Sequence, residues 1–165
     1  MIPVILLILK IFLIYMIIIY TLSFIITPRK IPEKIPKDMK IAIKRINKKN
    51  LNNLQFLKKA FELVNKRYSS IPRGFITYPL RIFDKNLGSI WRKTGFQPCD
   101  NQSYVLKVML IKSKRFKEND IKIIFNTYFI FWPHQYLKIK AGNKWYDVDL
   151  WGIDRKIKFG GHFGI

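Results

Sequence analysis

Ile2 to Ile26 is a run of 25 residues broken by a single charge, Lys10. From Ile11 to Pro28 there are 18 uncharged residues, close to the ~20 that cross a ~30 Å hydrocarbon core. A helix apolar on every face belongs in the centre of a large protein or in a membrane, and a chain of 165 residues is too short for the first. A cleaved signal peptide fits less well, because the run exceeds the usual h-region of about 7–15 residues and no A-x-A-like site follows it. The expectation is an uncleaved single-pass transmembrane anchor over residues 1–27, with the membrane as a partner. Orientation can be read two ways. Seven basic residues between Arg29 and Arg45 hold the C-terminal part in the cytoplasm by the positive-inside rule. A signal anchor with Lys10 as its short n-region would export it.

Beyond the run the chain turns basic. Against 31 Lys+Arg there are 10 Asp+Glu, a formal net charge of +21. Ile and Lys, 28 and 23 residues, make up almost a third of the sequence, so Lys reads as a general surface filler and the charge as a solvated basic face. Nucleic acid is therefore not the expected partner, and no phosphate loop or dinucleotide fingerprint is present. Disorder does not suit a chain that is 49% hydrophobic and 15% aromatic. One cysteine excludes a disulfide scaffold and a multi-cysteine zinc site. No metal or cofactor is expected.

Residues 28–37 hold prolines among basic residues and read as an extended juxtamembrane linker. A folded domain over 38–165 follows. Leu54, Leu57, Phe61, Val64 and Tyr68 recur at helical spacing in an amphipathic helix over Leu51 to Tyr68. Met39 to Ile46 either begins that helix or forms a separate short one. Ile71 to Phe96, with its prolines and glycines, reads as irregular with short elements. Cys99 to Lys112 is a second helix, its apolar stripe Val105, Leu106, Met109 and Leu110, with Asp100 and Asn101 as cap residues after Pro98. Strands follow over Asp120 to Trp132, His134 to Lys140 and Trp145 to Trp151, the last two joined by a turn at Ala141 to Lys144. Helices followed by antiparallel strands make an α+β arrangement.

Chemistry concentrates on three residues. Cys99 opens a helix, where free backbone N–H groups and the helix dipole favour a thiolate, although the charge of Asp100 opposes it. His134 opens one strand of the hairpin and Asp149 lies on the other. With the turn at Ala141 to Lys144, paired residue numbers sum to 285, so His134 faces Trp151. Asp149, two residues from that partner, then projects to the same side as His134. Asp147 shares the face but lies farther along. A cysteine, a histidine and a carboxylate so arranged follow the nucleophile, base and orienter logic of thiol acyl transfer.

Pro98-Cys99-Asp100-Asn101-Gln102-Ser103, His134-Gln135-Tyr136-Leu137-Lys138-Ile139 and Gly142-Asn143-Lys144-Trp145-Tyr146-Asp147-Val148-Asp149-Leu150-Trp151 together resemble the transglutaminase-like superfamily of the papain fold. The resemblance covers about residues 96–152. It implies Cys99 as nucleophile, His134 as general base and Asp149 as its orienter, with Asp147 as second choice, on a small domain of helices packed on an antiparallel sheet. It also implies a protein or peptide amide substrate attacked through a thioester, which water or an amine resolves. Candidate oxyanion donors are the backbone N–H of Cys99, the side chain of Gln97 and the indole of Trp91. Trp145 and Trp151 read as packing residues, and His162 as a surface or packing residue in a flexible glycine-rich tail. The alternatives are a catalytically silent module of the same fold and a basic binder of membrane surfaces or nucleic acid.

Overall fold

The computed structural model describes residues 2–24, 29–70, 77–128, 132–152 and 156–163. Within them the chain is α+β. Helices α1 (Ile2–Phe24), α2 (Lys37–Asn47) and α3 (Asn53–Arg67) come first. A short strand β1 (Tyr68–Ser69), helix α4 (Leu87–Arg92) and strand β2 (Gly95–Phe96) lead to helix α5 (Cys99–Lys112). Strands β3 (Ile121–Tyr128), β4 (Trp132–Ala141) and β5 (Lys144–Val148) complete the order. They form one antiparallel sheet, β3-β4-β5, while β1 and β2 pair in parallel as a separate two-stranded ribbon.

The membrane anchor expected at the N-terminus is corrected. Among the described residues no helix is long and apolar enough to cross a membrane. Lys10 stands within α1 and places a charge where a span would need an apolar side chain. The single-pass membrane localisation, and with it the choice of a cytoplasmic or exported domain, loses its support. The aliphatic side chains from Val4 to Ile14 are each more than half exposed.

Helix α5 is the centre of the domain. Val105, Leu106, Val108, Met109 and Leu110 are fully buried, packed among Phe56, Leu57, Ala60 and Val64 of α3, Met39 and Ile43 of α2, and Leu137 and Ile139 of β4. Each such aliphatic side chain contributes about 1.5–3 kcal/mol by leaving water. Burial goes beyond the expected stripe, because Asn101, Gln102 and Ser103 are buried too. Two of them are tied in by their amide groups: Asn101 donates to the Gln97 side chain (3.0 Å) and to the Arg81 carbonyl (3.1 Å), and Gln102 donates to the Ser70 hydroxyl (3.1 Å) and the Gln97 carbonyl (2.7 Å).

Helix α2 stands apart from α3, which has its own N-terminal capping box between Asn52 and Gln55. Residues Arg29 to Pro36 are irregular but not loose. Ile31 and Ile35 pack on the core, Tyr104 donates to the Lys30 carbonyl (3.2 Å) and Lys112 to the Glu33 carbonyl (3.1 Å). They form a strap along α5. Asp120 to Trp132, read as one strand, contains the end of β3 at Tyr128 and the start of β4 at Trp132, residues 129–131 lying outside the described set. The hairpin has the expected register: Leu137 pairs with Val148 and Lys138 with Asp147. Gly142 supplies the left-handed backbone (φ 66°) that the first position of this two-residue turn requires.

Candidate active site

The period of two along β4 sorts its residues. Leu137, Ile139 and Ala141 go to the core. His134, Tyr136 and Lys138 go to the opposite face, as do Asp147 and Asp149 across the hairpin. His134 Nε2 lies 2.8 Å from Asp149 Oδ2, and both residues are buried. This is the diagonal contact that the register implies.

Asp149 is held from every side. Oδ2 accepts from His134 and from the Phe163 backbone N–H (2.8 Å), while Oδ1 accepts from the N–H of Trp151 (2.9 Å) and of Gly152 (3.0 Å). Acceptance from the N–H groups two and three residues on is a local Asp turn, and it ends the strand by folding the chain back on the carboxylate. A Cβ on Gly152 would stand 2.9 Å from the Ile157 Cβ and 3.2 Å from Asp149 Oδ2, so the position needs a glycine. Trp151 packs beside the imidazole with ring centroids 5.7 Å apart.

The other ring nitrogen, His134 Nδ1, is buried and has no hydrogen-bond partner among the described residues. Cys99 lies at the first position of α5, behind Pro98, which makes no side-chain cap. The backbone N–H groups of Asp100 and of Gln135, the residue after His134, favour the thiolate form of Cys99. Because β5 ends at Val148, opposite Leu137, no strand of the sheet faces Gln135 on that edge. No hydrogen bond joins the thiol to the imidazole. Burial pushes the thiol pKa up to about 12, and the charges of Asp100 and Asp149 push the same way, against the two backbone donors. At neutral pH the group is a thiol, and the dipole of α5 does not make it a thiolate.

Asp100 and Asn101, read as caps, instead receive a cation from the strap. Arg29 pairs with Asp100 and donates to Asn101 Oδ1 (2.7 Å), and Lys85 reaches Asp100 at 3.3 Å. The remaining candidates are committed elsewhere. Gln97 is buried, its side chain accepting from Asn101 and donating to the Lys93 carbonyl (3.4 Å). The Trp91 indole donates to Asp38 (2.6 Å) beneath the Arg67 guanidinium, 4.2 Å from its ring. Asp147 belongs to a neighbouring pair, accepting from His162 Nδ1 (3.0 Å) with Lys138 at 3.7 Å. Near the start of α5, the 3₁₀ turn Pro79–Phe83 is tied down by Asn101 and leaves Leu80 and Phe83 exposed.

Sequence reasoning missed the donors to Asp149 and the role of the tail. The first had a local signal in Asp149-Leu150-Trp151-Gly152, an aspartate with a glycine three residues on. Contact with Phe163 is long-range and has no such signal. Among the described residues no cluster of His, Cys, Asp and Glu could hold a metal ion. No family model matches the chain, and neither a curated protein nor a solved structure matches it.

Proposed function

We propose that the protein is a thiol-dependent acyl-transfer enzyme, a transglutaminase-like amide hydrolase or acyltransferase with Cys99 as nucleophile, His134 as base and Asp149 as orienter. The observation that carries this reading is the buried 2.8 Å bond between His134 Nε2 and Asp149, with His134 Nδ1 left without a hydrogen-bond partner among the described residues. A base held by a carboxylate through one nitrogen keeps the other free to take a proton.

In this mechanism the Cys99 proton passes to His134 Nδ1 as the sulfur attacks the carbonyl carbon of a carboxamide. The C–N bond then breaks, and His134 returns the proton to the departing amine or ammonia. A thioester remains on Cys99. Water, deprotonated by His134, releases a carboxylic acid, whereas an amine gives a new amide. Since the resting group is a thiol, proton transfer accompanies attack and no stored thiolate is used. Leu80 and Phe83 offer an apolar acyl donor a surface.

The silent-module reading is favoured by one feature, the thiol pKa near 12, which leaves little thiolate for spontaneous reaction. Incubation with a peptide glutamine donor, followed by mass spectrometry of the intact chain, separates the two. The acyl-transfer reading expects an adduct on Cys99 that hydroxylamine removes, absent in Cys99→Ser and formed about 10²–10⁴-fold more slowly in His134→Ala. No adduct, or one indifferent to His134, supports the silent module.

A further inference from the structure

The tail after Gly152 is built onto the candidate site. Phe159 packs edge-on against Phe61 of α3 (centroids 5.4 Å apart) and beside Tyr146 of β5 (5.9 Å). Gly160 turns the chain with φ 98° and bridges to Asp147, its N–H donating to the Asp147 carbonyl at 3.1 Å. The ring of His162 lies flat on Tyr136 (4.6 Å, 1°), with Nδ1 bonded to the Asp147 carboxylate. Phe163 then arrives over the His134–Asp149 pair. Its N–H donates to Asp149 Oδ2, the oxygen that holds His134, and its carbonyl accepts from Asn126 of β3 at 2.8 Å. Its ring meets the imidazole edge-on, with centroids 6.4 Å apart at 82°.

We infer that Phe163 is a positioning residue for the histidine–aspartate pair. Its N–H fixes the carboxylate oxygen that orients His134, and its ring keeps water from the Nε2 to Oδ2 bond. Of the two groups that donate to that oxygen, His134 belongs to the hairpin and the other comes only from the tail. Tyr136, Asp147 and His162 clamp the tail so that Phe163 reaches this point. The inference rests on the proposed function only for its catalytic meaning, since the contact and its effect on His134 exist whether or not Cys99 reacts.

Solvent exchange of the His134 Nε2 proton, followed by NMR on the full chain, tests it. The Trp91 indole proton, bonded to Asp38 far along the chain, serves as an internal control. Phe163→Ala removes the ring and Phe163→Pro the N–H. Both are expected to accelerate exchange at His134 at least tenfold and leave Trp91 unchanged, with Phe163→Tyr restoring the wild-type rate. An unchanged His134 rate in both variants overturns the inference, as does equal acceleration at Trp91, which would mark Phe163 as a general stabiliser. Should the Cys99 adduct fail to form while Phe163→Ala still exposes His134, the acyl-transfer reading falls and the positioning contact stands.

Discussion

The two halves of the candidate site are built to different standards. On the hairpin side, a buried carboxylate accepts four hydrogen bonds and fixes an imidazole. On the helix side, burial and the charges of Asp100 and Asp149 raise a thiol to about 12. The difference teaches that the orientation of the imidazole is stored in the folded chain while a lowered thiol pKa is not. A helix start favours an anion only while its N–H groups stay hydrated or unopposed. Here desolvation and Asp100 outweigh them.

The largest expected effect comes from the well-built half. Asp149→Ala leaves three backbone N–H groups and an imidazole without their acceptor, costing about 3–5 kcal/mol in urea unfolding. Cys99→Ala should cost less, under about 1.5 kcal/mol, since it removes a single sulfur atom. Similar losses from both would break the contrast. Gly152→Ala ranks next, at about 1–3 kcal/mol, because its Cβ presses on Ile157 and on Asp149. A wild-type Tm would mean that the turn yields without disturbing the carboxylate.

Much of the hairpin side was legible beforehand. Alternation along His134 to Lys140 and a glycine at the turn fix the register, and the register brings Asp149 to His134. Helix α5 was equally plain from Val105, Leu106, Met109 and Leu110. What failed depended on distant partners or on continuity. The apolar N-terminal run suggests a membrane span from composition, whereas among the described residues no helix is long and apolar enough. Residues 28–37 read as a linker because proline and lysine favour extended chain, but Ile31, Ile35 and Arg29 tie the segment to the core and to α5. Asp100 has the composition of a cap, yet Arg29, 71 residues away, claims it. The tail looked flexible from its glycines, which instead let it turn back onto Asp147.

Smaller effects sharpen the helix side. Asp100→Asn removes one of the charges that hold the thiol neutral, so its pKa falls and iodoacetamide labelling at pH 8–9 should quicken severalfold. No change would leave burial alone responsible. The same shift acts on stability. A thiol raised from 9.0 to about 12 holds its proton more tightly in the folded state. Its stabilising contribution is complete below pH 9 and is lost as pH rises toward 12. Cys99→Ala should therefore flatten part of the alkaline fall in the urea midpoint. Tyr68, also raised to about 12 by burial, supplies another part that Cys99→Ala leaves untouched.

Everything catalytic in this account turns on whether His134 Nδ1 addresses the Cys99 sulfur. Nitrogen-15 NMR of the imidazole in wild type and Cys99→Ala reads this directly. The ring is expected to be protonated at Nε2 and bare at Nδ1, with the Nδ1 resonance displaced when the thiol is removed and Nε2 nearly still. A proton resident on Nδ1, or an Nδ1 signal indifferent to the loss of the sulfur, would contradict it.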